Sequence, residues 1–172
     1  MKLKSVKKVI AAIICTIIFS SFIGCTSGDN DRRISEIYKC KEFTIEIKDP
    51  VFLPGYNNAL AVVWEIENTS EKDEYPINFA HCEVYMDGIA LNPFVGTYDV
   101  SWMDYFKEHD YQDIMTKFVR GGRLTTYNIF VIDANKVDSD KTILIRFYKD
   151  LLGNEIIAEK EVLIKDIVHA KN

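Results

Sequence analysis

Histidine and closely spaced cysteine are scarce here: three histidines and four cysteines in 172 residues, with no C-x-x-C and no H-E-x-x-H. That leaves no zinc-type ligand set. There is no G-x-S-x-G, and no S-x-x-K beyond Ser5–Lys8, so no recognisable nucleophile stands beside a base. His81 and Cys82 are adjacent, but in a strand neighbours point to opposite faces and cannot touch. Arg120-Gly121-Gly122-Arg123 precedes a strand rather than a helix N-terminus and reads as a turn, not a phosphate cradle. Asn135 to Asp140 offers oxygen atoms but lacks the glycine and glutamate of a calcium loop. No catalytic residue, metal or cofactor is expected. No apolar run reaches the roughly 20 residues of a membrane-crossing helix.

What is present at the start is a targeting segment. Lys2, Lys4, Lys7 and Lys8 precede an apolar stretch from Val9 to Ile23 that stops at Gly24-Cys25. A basic n-region, a short h-region and a small residue at its end describe a secretory signal peptide over residues 1–24. Such a segment exports the chain behind it. Ile23-Gly24-Cys25 resembles the lipobox of bacterial lipoproteins, with Phe22 where that pattern usually has leucine. The resemblance implies a diacylglyceryl group on Cys25 and a membrane-anchored, extracytoplasmic domain. Two acyl chains hold a protein stably at a membrane, where one does so only reversibly.

Without residues 1–24 the chain keeps 17 basic residues against 26 acidic ones, a net charge of −9. This argues against nucleic acid as a partner and against docking on anionic lipid by charge. Residues 25–39, polar at first, are expected to be a flexible tether. Cys15 leaves with the signal, and Cys40 and Cys82 form a candidate disulfide, with two buried free thiols as the alternative.

The rest reads as short strands with turn signals between them. Phe43 to Ile47 alternates strictly. In Ala59 to Glu67, Leu60, Val62, Trp64 and Ile66 share one face, while the other face begins apolar with Ala61 and Val63 and ends with Glu65 and Glu67. Pro54-Gly55 breaks the chain ahead of this strand. Phe79 to Met86 is followed by Asp87-Gly88, a tight-hairpin dipeptide leading to Ile89-Ala90-Leu91. Leu124 to Asp133, Thr142 to Tyr148 and Glu155 to Ile164 complete six or seven strands, which describes an all-β sandwich. The domain is placed at residues 40–166, with 167–172 as a disordered tail.

Residues 92–120 interrupt this rhythm as one long inter-strand insert. Apolar residues at 102, 105, 106, 111, 114, 115 and 118 have helical spacing, and Ser101 with Asp104 is a weak capping signal. Phe106, Ile114, Met115 and Phe118 are expected to share a packed helical face. Tyr98, Trp102 and Tyr105, interleaved with acids, are the candidate recognition loop, suited to a basic or sugar-containing partner.

The long strand ending in Glu67-Asn68-Thr69-Ser70, then "CEVYMDGIAL", then Arg120-Gly121-Gly122 leading into "LTTYNIFVID", resembles an uncharacterised family of Gram-positive lipoproteins. Its Ig-like domain is related to the mycobacterial immunoprotective secreted antigens. The resemblance spans roughly Phe43 to Ile164 and implies an Ig-like antiparallel sandwich on the outer face of the cell membrane. It supplies no catalytic residues. The expected function is a non-enzymatic binding or interaction module for an envelope protein or cell-wall ligand. The alternatives are a structural or protective envelope protein and, third, an envelope hydrolase.

Overall fold

A computed structural model describes residues 34–53, 59–132, 138–149 and 152–170. The signal peptide, Cys25, most of the expected tether, the Pro54-Gly55 break and part of the 135–140 turn lie outside the described residues. The strands are β1 (Ile37–Lys39), β2 (Phe43–Ile47), β3 (Val51–Leu53), β4 (Ala59–Asn68), β5 (His81–Met86) and β6 (Ile89–Ala90). After helix α1 (Val100–Glu108) come β7 (Tyr111–Asp113), β8 (Arg123–Val131), β9 (Thr142–Tyr148), β10 (Ile156–Leu163) and β11 (Val168–His169).

They form two sheets. In the larger, β4 pairs along one edge with β8 and divides its other edge between β2 and β3; β1, β11 and β7 extend the margins. The smaller runs β10-β9-β5-β6. The order β2-β4-β8 against β10-β9-β5-β6 reproduces the Ig arrangement A-B-E against G-F-C-C′. The all-β fold with one short helix is therefore as the sequence predicts. Two pairings are parallel, β7 with β8 and β11 with β3, so the larger sheet is mixed.

Side-chain alternation builds the core. Ile45, Leu60, Val62, Trp64 and Ile66 face Val84, Ile143, Ile145 and Phe147 across the sheets, all essentially inaccessible. Trp64 on β4 meets Phe147 on β9 edge-on, ring centres 5.0 Å apart, linking the strands that a disulfide joins in antibody domains. The buried indole N–H donates to Asn128 Oδ1 at 2.9 Å, so the polar atom is satisfied. In the β5–β6 turn Asp87 and Gly88 both take positive φ, 53° and 75°, as a two-residue hairpin requires.

Several boundaries are corrected. Ile37–Lys39, expected within the tether, pairs antiparallel with β2, and Tyr38 packs on Phe43 at 5.7 Å. In the expected tail, Ile167 is buried, β11 pairs with β3, and His169 stacks on Phe52 at 4.9 Å. Both are strands of two or three residues, whose alternation is too brief to read. Cys40 and Cys82 are free thiols, not a disulfide. Cys82 packs in the inter-sheet core, where burial raises its pKa well above that of an ordinary thiol; Cys40 Sγ donates to Glu42 at 3.3 Å.

The insert is helical only over nine residues. Asp99 rather than Ser101 is the cap: its carboxylate accepts from the Ser101 hydroxyl and N–H at 2.7 and 2.9 Å, which holds its pKa below the usual range. Asp110, at φ 55°, breaks the helical run, and the chain continues as β7 beside β8. The expected Phe106–Phe118 face is thus divided. Phe106 packs outside the larger sheet, Phe118 packs in the inter-sheet core with Ile114 against it, and Met115 is exposed.

Candidate functional site

The outer face of the larger sheet is partly covered by the insert. Ala59 and Ala61 of β4, with Tyr127 and Ile129 of β8, lie under Trp102 and Phe106. The small alanines leave room for these rings, and Phe106 stacks on Tyr127 at 3.7 Å with an interplanar angle of 13°. Phe94, Tyr98, Tyr105 and Tyr111 complete the aromatic layer. Burial, the main cause, raises the pKa of the Tyr98, Tyr105, Tyr111 and Tyr127 phenols. Trp102, expected as an exposed contact residue, is only 2% accessible; Tyr98 and Tyr105 are half-buried beside it. The structure brings the three residues together, as packing for a sheet. A tryptophan at this spacing buries more apolar area against the alanine stripe than it could in any exposed position.

The rest of that outer face is a charge lattice. Lys48 bonds Glu46 at 2.7 Å, and Arg123 spans Glu65 and Glu67 at 3.1 and 2.9 Å. Asn68, fully buried, anchors the neighbouring loops. Its amide donates to the carbonyls of Lys72 and Val119, and its Oδ1 accepts from the Ser70 N–H and hydroxyl.

The outer face of the smaller sheet differs. Strand register sets Glu83, Arg146 and Glu159 in one cross-strand row and Tyr85, Leu144 and Glu161 in the next. Arg146 Nε donates to Glu159 at 2.6 Å and the guanidinium lies 5.5 Å above the Tyr85 ring. The Tyr85 hydroxyl donates to Glu83 and lies 3.1 Å from the Tyr148 hydroxyl. The Glu83 hydrogen bond, more than any other cause, pushes the Tyr85 phenol far above its ordinary pKa. His81 Nε2 lies 3.4 Å from Glu83. Where β9 meets the β5–β6 turn, Tyr85 and Arg146 line a groove of about 400 Å³ together with Asp87, Gly88, Thr142, Leu144 and Glu161. Of the lining residues, Asp87 is paired with Lys141, 2.5 Å away.

This arrangement combines an aromatic ring, a guanidinium, carboxylates and an aliphatic wall on a stiff sheet. It can hold a ligand by stacking and charge-assisted hydrogen bonds without rearranging. The sequence reading missed it. Its signal is the polar side of β5, β9 and β10, which gives an acid–base–acid row only once register is known. Among the described residues no group of three or more His, Cys, Asp or Glu is placed to hold a metal ion, and no helix is long and apolar enough to cross a membrane.

No protein-family model and no curated protein matches the chain. Among solved structures it is similar to YcdA, a candidate lipoprotein of Bacillus subtilis, with 12% identity and a TM-score of 0.46. The match covers 77% of this chain and 39% of that one, so the chain spans about two-fifths of that protein's length.

Proposed function

We propose that this chain is an extracytoplasmic lipoprotein, held at the cell membrane through a diacylglyceryl group on Cys25. Its Ig-like domain acts as a non-enzymatic binding module. The observation that carries the binding reading is the outer face of β5, β9 and β10, where Glu159 and Glu83 hold Arg146 and Tyr85, and these two side chains line an open groove. Side chains ordered before a ligand arrives lose less entropy when it binds. The anchor reading rests on the basic start, the apolar run and Ile23-Gly24-Cys25. The acidic balance of the domain favours a site held away from an anionic bilayer, facing outward.

Intact mass of the protein purified from its native membrane fraction tests the anchor. A mass of Cys25–Asn172 plus a diacylglyceryl group is expected. A lipid-free chain, or one retaining residues 1–24, contradicts it.

A further inference from the structure

A second groove, of about 380 Å³, runs beside β10 on the margin away from β9 and is lined by Asp49, Pro50, Lys160, Glu161, Leu163 and Asp166, among others. Backbone parity shows what borders it. Ile164 N–H donates to Lys141 O on the β9 side, so from Ala158 onward, past the register shift after Ile156, the backbone groups of even-numbered β10 residues face β9; Glu159 N–H points the other way and donates to Ser35 O. Glu161 and Leu163 follow the parity of Glu159. Their outward N–H groups, and the Glu161 carbonyl, have no hydrogen-bond partner among the described residues. The segment at Ser35 covers the strand edge for one residue, and no other described residue pairs with the margin beyond it.

An unpaired strand edge along a groove is a template for one more strand. The side chains around it select the strand's charge. Lys160 is already committed to Glu36 and Asp49, at 3.1 and 2.9 Å; burial pulls its pKa down, but these bonds outweigh that and leave it raised. Glu161 and Asp166 enter no ion pair among the described residues and stand on the groove wall. A second copy paired through the same edge would set these acids against their own counterparts, which is unfavourable.

From this we infer that the β10 edge binds an extended basic peptide segment of a partner protein by strand addition. Its main chain pairs with Glu161 and Leu163, and its Lys or Arg side chains meet Glu161 and Asp166. This goes beyond the outer-face site, with which it shares Glu161 alone among the lining residues, and does not depend on the anchor; Leu163→Pro, which touches no residue of the outer-face groove, separates the two.

The test uses the purified full chain and two fluorescein-labelled, capped peptides, (Lys-Val)3 and (Glu-Val)3, followed by fluorescence anisotropy. The lysine peptide is expected to bind at least about ten-fold tighter. Two variants locate it. Leu163→Pro suits the native φ of −70° and removes an N–H with no partner among the described residues, so folding is retained while affinity falls about five-fold or more. The double variant Glu161→Gln, Asp166→Asn lowers affinity for the lysine peptide by about five-fold and leaves the glutamate peptide no weaker. No binding of the lysine peptide, equal affinity for the two peptides, or binding unchanged by Leu163→Pro in a folded protein each overturns the inference. Concentration-dependent dimerisation abolished by Leu163→Pro also overturns it, because a second copy then occupies the edge.

Discussion

On the outer side of the larger sheet, Ala59, Ala61, Tyr127 and Ile129 lie beneath Trp102 and Phe106. On the outer side of the smaller sheet, the rows Glu83–Arg146–Glu159 and Tyr85–Leu144–Glu161 meet solvent. The first surface consists of small and apolar residues and is covered by the chain's own insert. The second consists of paired charges and phenols and borders a groove. Aromatic residues concentrated in a loop need not be a recognition surface. What lies under them decides, and here it is an alanine stripe that would otherwise expose apolar sheet.

On this contrast, the largest effect belongs to the covered face. Phe106→Ala removes the ring stacked on Tyr127 and should lower stability by about 3–5 kcal/mol in urea unfolding, without a selective effect on the smaller sheet. A loss below about 1 kcal/mol would mean that the insert is loosely held. Asn68→Ala comes next, at about 2–3 kcal/mol, because the carbonyls of Lys72 and Val119 and the Ser70 N–H lose their partner together.

The aromatic layer also gives the contrast a pH signature. Its phenols have folded-state pKa values raised above the unfolded value of about 10, so their neutral forms favour the fold. Their contribution is complete below about pH 10 and is lost as pH rises beyond it. Thermal unfolding followed between neutral and alkaline pH should show Tm falling above about pH 10, and less steeply in Tyr127→Phe. Smallest is the open face. Glu83→Gln with Tyr85→Phe should change stability by no more than about 1 kcal/mol, since part-exposed polar pairs contribute little. A larger loss would make that network a structural element rather than a prepared surface.

Much of the sandwich was legible in the residues. The strict alternation of Phe43 to Ile47 and Thr142 to Tyr148, and Asp87-Gly88 between strands, encode local geometry that the fold keeps. The two-sided burial of the start of β4 was also readable from Ala61 and Val63; it was not tied to the insert that does the covering. That link is a contact between residues about forty positions apart, which periodicity does not carry. Helical spacing across residues 102–118 was misleading because Asp110 breaks the run and β7 gains more by pairing with β8. The Glu83–Arg146–Glu159 row was invisible for a different reason: each residue is an ordinary polar outward position, and only strand register makes them neighbours.

The most direct measurement places a photo-crosslinking amino acid at Leu144, on the open face, or at Met103, exposed on α1, in the full chain in its native membranes. Discrete adducts from position 144 and none from position 103 are predicted. Adducts from 103 with none from 144 would contradict the account and return the binding role to the insert.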